Sequence, residues 1–181
     1  MIWVIIAIIA VVVLVPVFWW ISTSNRFKRM DVKIAESLSG IEVALTKRYD
    51  MLTKLLDVAK GYKQHETELF SEVIKLRKGM SVGELNQAAA KMDDMASSLH
   101  VVAEAYPELR SSDVFRELQS GVRDAEQHLQ AARRLYNSNV TAFNTAVKVF
   151  PSSIVAKSQN AAEREFFVAE EIKRGDVVMK F

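Results

Sequence analysis

The chain has 181 residues, half of them hydrophobic, with 24 Lys and Arg against 22 Asp and Glu and no cysteine. The near-neutral balance offers no electrostatic footprint for nucleic acid, and the missing thiols exclude disulfides, Cys nucleophiles and lipidated Cys. Six Gly and three Pro are too few turn-formers for a many-stranded β fold and predict a few long helices.

The first element is Ile2 to Ile21, IWVIIAIIAVVVLVPVFWWI, a run of twenty uncharged residues. As a helix it rises about 30 Å, the thickness of a bilayer's hydrocarbon core. Trp3 stands at one edge and Trp19 and Trp20 at the other, about 25 Å apart along such a helix, which suits an aromatic belt at each interface. Arg26, Lys28, Arg29 and Lys33 follow, whereas the amino terminus is the only positive charge before the run. The positive-inside bias therefore predicts a cytoplasmic location for the rest of the chain. Arg26, Lys28 and Arg29 are also placed to touch anionic headgroups. A cleaved signal peptide would instead have a basic start, a shorter apolar stretch and a small-x-small cleavage site. Met1-Ile2-Trp3 is not basic, and Ser22-Thr23-Ser24 is the nearest approach to such a site. Pro16 frees one carbonyl late in the span and marks a candidate kink.

About 160 residues follow, enough for one domain with one core. The expected fold is all-α: the transmembrane helix and a short link (1–25), then an elongated antiparallel bundle of three long helices (26–151), then a partly helical tail (152–181). The first bundle helix, about 26–78, carries apolar residues at 27, 30, 34, 38, 41, 45, 49, 52, 55, 59 and 62, an average step of 3.5. Gly61 is a candidate kink, and Leu69, Val73 and Leu76 keep the rhythm. The second, about 81–106, opens on Ser81-Val82-Gly83-Glu84, which has the form of a capping box, and ends before Pro107. The third, about 112–150, has N-cap candidates in Ser111-Ser112-Asp113 and a stripe at 115, 118, 122, 125, 129, 132, 136, 140, 143, 147 and 150. Matching stripes of this period predict side-by-side antiparallel packing. In the tail, Ala161 to Lys173 is the expected short helix, Gly175-Asp176 a turn, and Phe166, Phe167, Val177, Val178 and Phe181 apolar docking residues.

Little in the sequence points to catalysis. His100 and Glu104 lie four apart on one helix face, but a metal site needs three or four ligands, and no HExxH or paired HxxxH occurs. Asp93-Asp94 and Glu170-Glu171 are adjacent pairs that diverge by about 100° on a helix and read as solvated faces. No phosphate loop or nucleophile elbow is present. No catalytic, metal or cofactor site is assigned. Met92 and Met95 read as core filler. The polar feature that stands out is Glu126, Gln130, Arg133, Asn137 and Asn144, spaced along one edge of the third helix beside its apolar seam. Such a stripe either fixes helix register inside one bundle or forms an interface with a subunit or partner.

Three stretches carry a resemblance. Residues 45–66, LTKRYDMLTKLLDVAKGYKQHE, include Arg48, Asp50, Leu52, Leu55, Gly61, Tyr62, His65 and Glu66. Residues 103–119, AEAYPELRSSDVFRELQ, include Glu104, Tyr106, Pro107, Leu109, Phe115, Leu118 and Gln119. Residues 132–151, ARRLYNSNVTAFNTAVKVFP, include Arg133, Arg134, Tyr136, Asn137, Val140, Asn144, Phe150 and Pro151. In this order they resemble the LemA family of bacterial inner-membrane proteins over roughly residues 25 to 155. Where that family often has a Gly soon after Phe-Pro, this chain has Ser152-Ser153. The resemblance implies a membrane-anchored antiparallel helical bundle and no catalytic activity.

The resulting expectation is a single-pass inner-membrane protein, not an enzyme, that assembles as a homo-oligomeric scaffold. The alternative is a signalling or regulatory adaptor for a neighbouring membrane enzyme or protease. Expected partners are the lipid bilayer, further copies of the chain and, in the adaptor reading, another membrane protein, with no nucleic acid and no cofactor.

Overall fold

Apolar periodicity without interior breakers gives long helices, and the computed structural model describes residues 1–61, 76 and 79–168. Among them the regular elements are α1 (Ile2–Lys60), α2 (Val82–Ala105), α3 (Pro107–Ser111), α4 (Asp113–Lys148) and α5 (Ser152–Ser158). The expected anchor and first bundle helix are one helix: Ser22–Asn25 holds no Gly or Pro, so nothing interrupts the ladder at the anticipated link. Pro16 also lies inside α1. From Ile2 to Ile21 every side chain is exposed, and this is a helix long and apolar enough to cross a membrane. The first helix was expected to continue to about 78; α1 ends at Lys60, and Gly61 is a turn rather than a kink within a continuing helix. Leu76, expected to keep the helical rhythm, is not helical, while Tyr62, His65, Leu69 and Val73 fall outside the described residues.

The chain divides into two compact units. The first joins residues 1–37 to residues 135–165. Here Phe27 and Ile34 of α1 are buried with Tyr136, Val140, Phe143 and Ala146 of α4. The Phe27 and Phe143 rings meet edge to face, 5.7 Å apart at 82°. Asn139 donates to the Lys33 carbonyl and to Ser37 Oγ, each at 3.2 Å. Numbers rise on one helix as they fall on the other, so the pair is antiparallel.

Helix α4 stops at Lys148, ahead of Pro151, and this changes the end of its stripe. Phe150, expected in the seam, is 77% exposed because it lies beyond the helical phase. Ser152 Oγ lies 2.7 Å from the Ala146 carbonyl, an acceptor that the helix end leaves open, and 2.8 Å from that of Val149, which also accepts from Ser153 N–H at 2.9 Å. The tail helix is also earlier than expected. It is α5, and residues 161–168 are not helical; the rest of the tail, including Glu170-Glu171 and Gly175-Asp176, falls outside the described residues. Asn160, at φ 51°, turns the chain out of α5 in the left-handed region that Asn tolerates.

The second unit joins residues 38–134 to the chain from residue 166. Its core is Ile41, Leu45, Leu52, Leu55 and Ala59 of α1, Leu85, Ala89, Met92, Leu99 and Val102 of α2, Leu109 of α3, and Phe115, Ala125 and Leu129 of α4. The capping box forms as predicted: Ser81 Oγ accepts from Glu84 N–H at 3.2 Å, and Glu84 Oε2 accepts from Ser81 N–H at 2.8 Å. Pro107 ends α2 and opens the short α3 at its first position, where the missing N–H is harmless. Ser112 stands just before α4, its carbonyl accepting the first helical bond from Arg116 N–H at 3.1 Å. Met51 rests against Gly121, where an added methyl would lie 3.0 Å from the sulfur.

Gly40 sits inside α1, exposed, with nothing within 4 Å of the place a Cβ would occupy. Gly40→Ala should stabilise the protein by about 0.5–1 kcal/mol through reduced backbone freedom in the unfolded chain. Thermal circular dichroism of the full chain in detergent should show a higher midpoint.

Candidate functional site

In the second unit the apolar face of α1 is interrupted by one charge. Arg48 falls between Leu45 and Leu52 on the buried face and is itself only 4% exposed. Its Nη2 donates to Asp93 Oδ1 of α2 at 2.5 Å, and its Nη1 lies 3.2 Å from Glu126 Oε2 of α4. The Glu126 contact is an ion pair at good distance whose N–H points off the line of a hydrogen bond. Glu126 Oε1 accepts from Gln130 Nε2 at 3.3 Å. One guanidinium thus ties α1 to both α2 and α4, using the fork geometry that a lysine lacks.

The predicted stripe on α4 is therefore turned inward at several points. In the second unit, Glu126 holds Arg48, Gln130 holds Glu126, and the Arg133 guanidinium lies 5.0 Å from the centroid of the Phe167 ring. Of the two tail aromatics expected to dock, Phe167 is 1% exposed, whereas Phe166 is 43% exposed. Asp93, read from sequence as solvated, instead carries the arginine, while Asp94 is exposed. On the surface, Lys47 Nζ meets Asp124 Oδ2 at 2.8 Å. That hydrogen bond and the lysine charge, with a smaller contribution from His128, hold the Asp124 carboxyl below its ordinary range.

In the first unit, Asn144 is buried and uses both ends of its amide on one residue of the tail. Arg164 N–H donates to Asn144 Oδ1 at 2.8 Å, and Asn144 Nδ2 donates to the Arg164 carbonyl at 2.9 Å. The Arg164 side chain reaches Asp31 Oδ1 at 2.8 Å and stands 5.4 Å from the Phe143 ring centroid. Tyr136 O–H donates to the Glu165 carbonyl at 2.9 Å. Burial, then the Glu165 charge, push the Tyr136 phenol above its ordinary value, with Arg164 opposing. Asn137, the remaining stripe member, is half-buried.

Among the predicted membrane-interface residues, Trp3 is 83% exposed, while Trp19 and Trp20 are at 36% and 39%. Arg26, Lys28 and Arg29 are exposed just beyond the span. His100 Nε2 lies 3.5 Å from Glu104 Oε1, both side chains largely in solvent. Among the described residues no three His, Cys, Asp or Glu side chains converge as metal ligands. Sequence reasoning missed Arg48 as a site although the signal was available: it is three residues after Leu45 and four before Leu52, inside the seam. Arg164 had no comparable signal.

These features define a class: an all-α protein with, among the described residues, one candidate membrane-spanning helix at the N-terminal end and polar clamps inside the packed helices. The LemA family model matches residues 37–181, and the chain belongs to the LemA family. The match runs through the tail, beyond the 25–155 over which the sequence resemblance had been placed. Protein LemA of Metamycoplasma hominis is 27% identical over 165 residues, covering 88% of this chain and 75% of that protein.

Arg48→Ala should destabilise the protein by about 2–3 kcal/mol, below the full loss for a buried pair because Asp93 and Glu126 keep some solvent. Arg48→Lys should recover only part, since an ammonium cannot span both carboxylates; urea midpoints of the three proteins check this. The Tyr136 phenol has a folded pKa raised above 10.0, so the stability it contributes is complete below that value and is lost as pH rises through the folded pKa. Tyr136→Phe should lower the midpoint by about 1 kcal/mol equivalent at neutral pH. It should also remove the tyrosine's share of the alkaline decline, measured on either side of pH 10.0.

Proposed function

We propose that this protein is a non-catalytic structural and interaction protein. In this reading it is anchored in the bacterial inner membrane by residues 2–21, has its bulk in the cytoplasm, and self-assembles as a scaffold. The observation that carries the reading is the unbroken α1, which continues from the apolar segment directly into packed helix without a flexible link. A signalling sensor that swings on its anchor needs slack at this point, whereas a platform held at a fixed height above the bilayer does not. The polar groups in the interior support the same view. Within the second unit Arg48, Asp93 and Glu126 are committed to holding helices together, and within the first Asn144 holds the tail to α4, so each unit is internally braced.

Full-length protein, extracted in detergent and sized with the bound detergent subtracted, should give one defined homo-oligomer. A monomer that cross-links in membranes to a different protein would replace the scaffold by the adaptor. Protease added to spheroplasts should leave the domain intact; cleavage from outside would reverse the orientation.

A further inference from the structure

We propose that the corner between α4 and α5, Val149-Phe150-Pro151 together with Ile154, is a second membrane contact, seated in the bilayer interface beside the span. The inference rests on the reading of residues 2–21 as a membrane anchor and adds a separate lipid-binding element to it. Four observations within the first unit carry it.

The corner is apolar and exposed. Val149 is 52%, Phe150 77% and Ile154 48% exposed, a cluster that water alone does not favour. Its height is fixed by the antiparallel register. Phe27 faces Phe143, so six residues back along α1 and six residues on along α4 bring Ile21 level with Val149. Farther along, Gln159 Nε2 donates to Ser24 Oγ, which holds the end of α5 three residues beyond the last apolar residue of the span. Three residues of helix rise about 4.5 Å. The corner therefore lies at the level where Trp19 and Trp20 mark the interface.

Those two tryptophans give the third observation. At 36% and 39% they are the least exposed large apolar residues of the span, as expected if the packed part of the first unit begins beside them. The fourth is charge. Residues 149–156, VFPSSIVA, form an uncharged stretch bracketed by Lys148 and Lys157. Lys148 is already paired with Glu163 at 2.8 Å, which leaves as flanking cations Lys157, exposed at the other end of the stretch, and Arg26, Lys28 and Arg29, exposed on α1 at neighbouring height. An apolar tip flanked by cations fits a membrane whose headgroups are anionic and whose acyl boundary accepts an aromatic ring. A water-facing loop would need neither.

The absence of cysteine makes the test direct. Full-length Phe150→Cys, labelled with an environment-sensitive fluorophore, is placed in vesicles of phosphatidylethanolamine and phosphatidylglycerol carrying nitroxide lipids. Val13→Cys reports on the span and Ser138→Cys, exposed on α4, on water. The label at 150 should emit at shorter wavelength than at 138 and be quenched more by a shallow nitroxide than by a deep one, with the reverse order at 13. A water-like signal at 150 with deep quenching at 13 would overturn the corner contact and leave the anchor standing. A shifted label at 150 that no lipid nitroxide quenches would also overturn it, in favour of a second copy of the chain covering the corner. Loss of quenching at 13 would remove the anchor itself and the proposal with it.

Discussion

A helix has no freedom to change phase without breaking hydrogen bonds, and α1 runs from Ile2 to Lys60 without a break. The first glycine in the chain is Gly40, and no proline follows Pro16 until Pro107, so the ladder meets no weak point where the apolar segment gives way to polar sequence. Packing starts at once: Thr23 and Phe27 are already buried. The direction in which Phe27 points is thus set by the same ladder that sets the azimuth of Trp19 and Trp20. The first unit is held to its anchor by backbone geometry rather than by a tether, and the seam with α4 inherits that orientation.

Two kinds of polar group interrupt the apolar faces, and they act through different physics. Arg48 is a full charge in a dry place. Its desolvation is offset by two carboxylates that stay partly wet, so its net contribution to stability is small while its removal is severe. What such a charge supplies is register: a helix slipped by one residue would strand the guanidinium among leucines. Asn144 carries no net charge and depends on complete hydrogen bonding, which its two contacts with the Arg164 backbone provide. The first arrangement aligns helices with one another; the second lays an irregular segment onto a helix.

The helices were legible because burial follows their period. On α1, residues 27, 34, 41, 45, 52, 55 and 59 are all buried, and the capping box at Ser81 formed from its four-letter pattern. Legibility failed where local pattern stops governing. Phe150 continued the arithmetic of the α4 stripe after the helix itself had ended at Lys148, and a period has no meaning without the helix that generates it. The tail from Ala161 reads as helical by composition, yet Asn144 and Tyr136, far away in sequence, capture the backbone groups of Arg164 and Glu165 that a helix would have used. The polar stripe was found, but its sequence spacing alone left open whether it faced outward to another molecule or inward, and partners such as Arg48 and Phe167 become visible only in three dimensions.

The pairing of Asn144 with residue 164 has a consequence for which amino acids each position can accept. The side-chain amide offers its acceptor to the N–H and its donor to the carbonyl of a single residue, much as a neighbouring strand would. Position 164 answers with backbone alone, so this clasp tolerates any residue there except proline, which has no N–H to give. Position 144 has no such latitude. Aspartate loses the donor, leucine loses both groups, and glutamine carries the same amide one methylene too far. The specificity of the clasp is written entirely on the helix, and the segment it grips is recognised by its main chain.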